Sequence, residues 1–216
     1  MNQQPPNHEL NQQPNNTDPP QTGENREILD QDTPSIWVGS LSDYNNGILH
    51  GAWINADQPE NAIWQQIRKI LETSPTERDT GQPAEEWAVF DYDNFHGLHI
   101  DEYENITTVN KIAQLITKHG EPFALWADDN GIQAATSDDA EEQFLNAYIG
   151  HYQTKQEYTQ QLIDDLGIEQ QLDQLNLGNL RYYITIDYDT LTQDLQLNGD
   201  ITLLPSQNGG YHAYQT

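Results

Sequence analysis

The chain has 216 residues, with 35 Asp and Glu against 8 Lys and Arg, a formal net charge of −27. That excess disfavours direct binding to nucleic acid or to an anionic membrane surface and favours a basic protein groove, which such a field attracts from a distance. The absence of cysteine removes disulfides, thiolate metal sites and cysteine nucleophiles, and no apolar run approaches the roughly 20 residues of a bilayer span.

In chain order, residues 1–33 hold twelve Asn or Gln and five Pro but only four apolar side chains, Met1, Leu10, Ile28 and Leu29. That is too little apolar surface to offset the entropy of ordering, and it predicts a disordered tail. The start MNQQPPNHEL lacks the basic and apolar regions of a secretory signal, so a cytoplasmic protein is expected. The tail carries six acids and one arginine, so −22 remains on residues 34–216, and the charge belongs to the folded body.

Ile36-Trp37-Val38 and the run Ile48 to Ile54 flank Tyr44-Asn45-Asn46-Gly47, where Asn-Gly supplies the positive φ angles of a hairpin turn. Asp57 is then expected to cap a helix with Pro59 in its first turn, Ile63, Trp64, Ile67, Ile70 and Leu71 on its apolar face, and an end before Ser74-Pro75. Polar residues 73–84 read as a loop, and Glu86 to Tyr92 as a third strand. Val109, Ile112, Ala113 and Ile116 mark a helix stopped by Gly120 and Pro122. A mixed stretch follows, with another helix from Asp138 to about Leu145. Residues 147–153 read as a strand. Thr154 and Glu157 form a capping box opening a helix with Tyr158, Leu162 and Leu166, ended by Gly167. Residues 168–181 read as irregular, Asp187 or Asp189 starts a short helix through Leu191 and Leu195, and residues 200–204 read as a strand.

The search for chemistry returns little. Thirty-five carboxylates generate pairs at any spacing, so two neighbouring acids carry no argument for glycosidase chemistry. Asp91-Tyr92-Asp93 begins like a calcium loop, but Phe95 and His96 stand where an oxygen ligand and glycine are needed. His96 and His99 have neither zinc-helix nor finger spacing. No phosphate-cradling, dinucleotide or nucleophile-elbow motif occurs. Asn105-Ile106-Thr107 is a glycosylation sequon in form alone. The five tryptophans are scattered singly and read as packing residues. Neither a catalytic residue, a metal nor a cofactor is expected.

What remains is the acid distribution. One helix bearing Glu157, Gln161, Asp164 and Asp165 opposite Tyr158 and Leu162 is an ordinary solvated face. A body with 29 acids and 7 bases is not, because surfaces normally intersperse both signs. Two copies would carry 44 negative charges, the formal charge of about 22 base pairs of duplex. A halophile could reach such a total, but the 43 Asn and Gln residues are a share that a high-salt surface has no reason to favour.

Four segments, PSIWVGSLSDYNNGILHGAWINAD (34–57), AEEWAVFDYDNFHGLHIDEYENI (84–106), AEEQFLNAYIGHYQTKQEY (140–158) and YYITIDYDTLTQDLQLNGD (182–200), resemble in this order the ArdA-type antirestriction proteins. The resemblance implies an α+β protein: an elongated chain of three small domains, an α+β domain at 34–104, a helical middle domain at 105–144 and an α+β C-terminal domain at 145–216. It implies a homodimeric DNA mimic, not an enzyme, carried by mobile genetic elements, that occupies the DNA-binding groove of type I restriction-modification enzymes. The carboxylates expected to replace phosphates are Asp43, Asp57, Glu60, Glu72, Glu85, Asp101, Glu102, Glu104, Asp128, Asp129, Asp138, Asp139, Glu141, Glu142, Glu157, Asp164, Asp165, Asp187, Asp189 and Asp194. Ile186, Asp187, Tyr188, Leu191, Asp194 and Leu195 correspond to part of the family's antirestriction motif, and they also read as a capped amphipathic helix. Tyr148, Tyr152 and Tyr158 are candidates for the dimer surface, although packing within the domain explains them equally. The 33-residue tail, the many surface amides and the polar ending Gly209 to Tyr214 depart from the family pattern. The alternative function is an acidic decoy or chaperone for another basic DNA-binding protein.

Overall fold

A computed structural model describes residues 32–216; apart from Asp32 and Thr33, the predicted tail lies outside the described residues. The elements run β1 (Ser35–Ser40), α1 (Leu41–Asn45), β2 (Gly51–Asn55), α2 (Glu60–Glu72), α3 (Pro75–Thr80), β3 (Trp87–Asp93), α4 (Ile106–His119), α5 (Glu121–Asn130), α6 (Ile132–Ala135) and α7 (Ala140–Ala147). They continue with β4 (Tyr148–Tyr152), α8 (Lys155–Asp165), α9 (Ile168–Gln174), a 3₁₀ turn at Gly178–Tyr183, α10 (Tyr188–Asn198), β5 (Ile201–Pro205) and β6 (Tyr211–Gln215). The fold is α+β, with two antiparallel three-stranded sheets in the orders β2-β1-β3 and β4-β6-β5.

The first sheet buries Ile36, Val38, Ile54 and Val89 in one cluster with Ile63, Ile67 and Ile70 of α2. Trp37 packs edge-on against Phe90, with ring centroids 5.6 Å apart. Two glycines make room for its indole. A Cβ at Gly39 or Gly51 would approach the Trp37 ring to 2.6 or 2.7 Å. Phe90 is the extra residue of a bulge, since Trp37 pairs with Asp91 and Val38 with Val89.

The strands β1 and β2 pair as expected, but not through a two-residue turn. Asn46-Gly47 instead closes the one-turn helix α1: Ile48 N–H donates to Asp43 O and Gly47 N–H to Tyr44 O, both at 2.9 Å, the two bonds of a Schellman ending. Asp57 does not cap α2, which begins at Glu60 after Pro59; the Asp57 N–H bonds instead to Asn55 Oδ1 at 2.9 Å. The expected loop at 73–84 contains α3, because Ser74 accepts the Glu77 N–H and Pro75 occupies the first turn, where its missing N–H costs nothing.

The middle helices share that first cluster, through Val109, Ile112, Phe123, Trp126 and Phe144. Buried Asn110 ties α4 to the first sheet by donating through Nδ2 to Ala56 O and Gln58 O, each at 2.7 Å. The second sheet has two covered faces. Ile201, Leu203 and Ala213 pack with Tyr158 of α8, while Tyr214 and Leu204, on the alternate face, belong with the middle helices. Leu166, expected on the apolar face of α8, is exposed; Tyr158, Thr159 and Ile163 are the buried residues of that helix. Residues 168–181, expected to be irregular, form α9 and part of the 3₁₀ turn. They are held by Arg181, which pairs with Glu169 and donates to Asp173 at 2.7 Å. No helix among the described residues is long and apolar enough to cross a membrane.

Candidate functional site

The acids divide by what the fold asks of them. One group does local structural work. Asp43 is the clearest, and it is a correction: it is fully buried, not presented to a partner. Its Oδ1 accepts the Ser74 hydroxyl at 2.9 Å and the Thr76 N–H at 2.8 Å, which seats the start of α3 on α1. Burial alone would raise the Asp43 carboxyl pKa, but hydrogen bonds from Thr76, Ser74 and Ser40 outweigh it and hold the pKa below the ordinary value.

Others in this group stay accessible at least in part. Half-buried Glu60 accepts from Trp64 Nε1 and Thr107 Oγ1, each at 3.0 Å. Half-buried Glu141 takes Lys118 Nζ and His119 Nε2, each at 2.6 Å, and Lys118 first, then His119, hold its pKa below the usual carboxylate range. Glu157 accepts the Gln153 N–H at 2.6 Å. Asp187 caps α10 through the Thr190 N–H at 3.0 Å and hydroxyl at 2.9 Å, and these bonds lower its pKa. Asp189 accepts from Gln156 Nε2. Asp101 lies 3.2 Å from His99 and Asp138 lies 3.8 Å from Lys111. Hydrogen bonds from Gln143 and Ser137 lower the Asp139 pKa. Asp57 and Glu104 are half-buried, and Glu104 accepts the Asn105 N–H at 3.0 Å.

The second group sits where the backbone opposes it. Asp128 and Asp129 occupy the last turn of α5, and Asp164 and Asp165 that of α8, with no basic residue in either turn. Glu72 ends α2, although Lys69 shares its turn. The helix macrodipole is negative at these ends, so each exposed charge there costs a few tenths of a kcal/mol, up to about 1. All five are exposed. Gln161 Nε2, at 2.8 Å from Asp165, is a neutral donor and leaves that charge in place. Glu85, Glu102, Glu142 and Asp194 are exposed as well.

Residues 36–211 match the family described as antirestriction protein (ArdA). The chain belongs to the ArdA family. No curated protein matches it. ArdA membership carries an antirestriction function, and with it action against restriction enzymes. Among the described residues no cluster of three or more His, Asp or Glu is arranged to hold a metal.

The tyrosines set against a dimer surface are engaged within the chain. Tyr158 is buried in the C-terminal core and meets Tyr152 edge-on at 5.4 Å. Tyr148 stacks on Phe144 at 5.5 Å and touches the rings of His212 and Tyr214. The most exposed large apolar side chains of this ArdA chain are others: Tyr182, Tyr183 and Leu197 are 85, 84 and 84% exposed, and Leu175 and Leu180, near the first two in sequence, are exposed as well. Nothing in the local pattern of Tyr182-Tyr183-Ile184 tells exposed from buried, so sequence reasoning missed these side chains. It also missed Glu121, a buried acid whose partners lie more than eighty residues away in the sequence.

Proposed function

We propose that the protein is a DNA mimic that fills the DNA-binding groove of type I restriction-modification enzymes and competes with DNA for it. The observation that carries this reading is the set of exposed carboxylates at helix C-termini, where local energetics disfavour them. Stability does not account for them; a fixed negative surface offered to Lys and Arg does. The 7 bases of residues 34–216 cannot neutralise the 29 acids however they pair. The successive units at 34–104, 105–144 and 145–216 each contribute to that surface. A second copy docks through the exposed apolar side chains at 175–184, where Arg181 offsets part of the charge of Glu169 and Asp173. The encounter with the enzyme takes place in the cytoplasm.

The decisive assay is DNA cleavage by a purified type I enzyme with increasing amounts of the protein, repeated at increasing concentrations of substrate DNA. Inhibition relieved by more substrate supports the mimic. Undiminished cleavage at saturating protein sinks it, and equal affinity for unrelated basic DNA-binding proteins replaces it with the acidic decoy.

A further inference from the structure

We propose that Glu121 is a positioning residue: its buried carboxylate latches the tip of the β5–β6 hairpin onto the start of α5. The C-terminal sheet, with the acids of α8 and α10 behind it, is thereby fixed at one angle to the acids of α5 and α7. The functional half of this inference rests on the DNA-mimic reading; the structural half does not.

The hairpin tip offers two donors that the Glu121 side chain can hold at once. Ser206 N–H bonds to Gly210 O at 3.0 Å and Gly209 N–H to Ser206 O at 3.1 Å, so the turn satisfies those donors itself. The Ser206 hydroxyl oxygen accepts the Asn208 N–H at 3.2 Å, which leaves the Gln207 N–H and the Ser206 hydroxyl proton; Glu121 receives both, the first on Oε1 at 2.5 Å and the second on Oε2 at 2.7 Å. His212 Nε2, on the inner face of β6, lies 3.4 Å from the same Oε2, and its Nδ1 lies 3.0 Å from the Tyr148 hydroxyl. A second tie runs parallel: the Tyr214 hydroxyl donates to Pro122 O at 2.8 Å. The hairpin tip also reaches the first unit, where a Cβ built on Gly97 would lie 3.6 Å from Gln207 Nε2. Burial would raise the Glu121 pKa, but the bonds from Gln207, Ser206 and His212 hold it below the ordinary value, so the latch is an ionised acceptor. An apolar joint of Phe144, Tyr148 and Tyr214 tolerates sliding and rotation. Directional hydrogen bonds do not.

The test uses the lack of native cysteine. Gln143→Cys on α7 and Gln193→Cys on α10, both exposed, take paired spin labels in the full chain. Two variants break the latch from opposite sides. Glu121→Ala removes the acceptor. Gln207→Pro removes the donor at the second position of a turn, where proline fits. Glu121→Gln keeps an acceptor for Gln207 and a donor for Ser206 and serves as rescue. We expect a single narrow distance in the parent, a broadened or shifted one in both breaking variants and near-parental behaviour in Glu121→Gln. The protein concentration that halves cleavage by a purified type I enzyme should rise about tenfold in the breaking variants alone. Unchanged distances in both overturn the latch, as does loss of folding in both, which would make Glu121 a residue of the fold and not of its geometry. Altered distances with undiminished inhibition overturn its functional role. If the parent itself does not inhibit, the mimic reading fails while the distances still decide the latch.

Discussion

Full burial of a carboxylate in a chain of charge −27 requires neighbours that replace water, and Asp43 has them at Oδ1 in Ser74 and Thr76, while its buried Oδ2 has no hydrogen-bond partner among the described residues. Asp43→Ala leaves that hydroxyl and that N–H without their acceptor inside the fold, a loss of about 2–4 kcal/mol. Urea unfolding should show it as a lower midpoint at unchanged slope; a midpoint equal to the parent's would mean the α1–α3 contact holds without the acid. Protons probe a second residue. His212 is packed among Glu121, Tyr148 and His151, and burial lowers its pKa below the ordinary 6.5, although Glu121 pulls the other way. The unfolded chain therefore takes up this proton first, and stability present above pH 6.5 is lost as pH falls toward the folded value. Glu121 and Asp43, also lowered, add losses of the same sign only below their ordinary 4.5 and 3.8. Melting followed from pH 7.5 to 5 should decline in the parent and stay level in His212→Gln; a decline of equal size in both would place the titrating group elsewhere.

At the scale of elements, paired neutralisation separates function from stability. Asp128→Asn with Asp129→Asn, or Asp164→Asn with Asp165→Asn, removes charges that oppose the dipoles of α5 and α8, so each pair should raise stability by about 0.5–1 kcal/mol. Under the mimic reading each pair also weakens inhibition several-fold. Melting temperature and inhibitory concentration should therefore both rise, and a variant that is more stable yet equally inhibitory would show those charges are not used. The elements themselves were legible where pattern and punctuation agreed, as in α2, α4, α8 and α10. Where they were missed, one residue served two elements. Gly120 ends α4 and begins α5, Ser74-Pro75 ends α2 and starts α3, and Asn46-Gly47 closes a helix that a hairpin pattern disguises. The formation of α9 depends on Arg181 reaching back to Glu169 and Asp173, a pairing across 12 and 8 residues that no local window registers.

For the whole molecule the legible quantity was charge, and the illegible one was how its carriers are held together. Net charge and its spread over residues 34–216 follow from counting, whereas the joints made by Asn110 and Glu121 bring together residues 52–54 and 85–91 positions apart. A body with 29 acids and 7 bases repels itself, and this makes salt a discriminating variable. Mobile ions shorten the reach of that repulsion from about 10 Å at 0.1 M to about 3 Å at 1 M. The free protein, relieved of self-repulsion, should melt at a higher temperature across this range. A complex formed between its carboxylates and a basic groove should weaken across the same range, because the attraction that forms it is screened in the same way. Opposite slopes of melting temperature and inhibition against salt are thus the expected outcome. Inhibition that survives 1 M salt would point to apolar contacts as the source of affinity, and a flat melting curve would mean that the surface acids sit too far apart to repel.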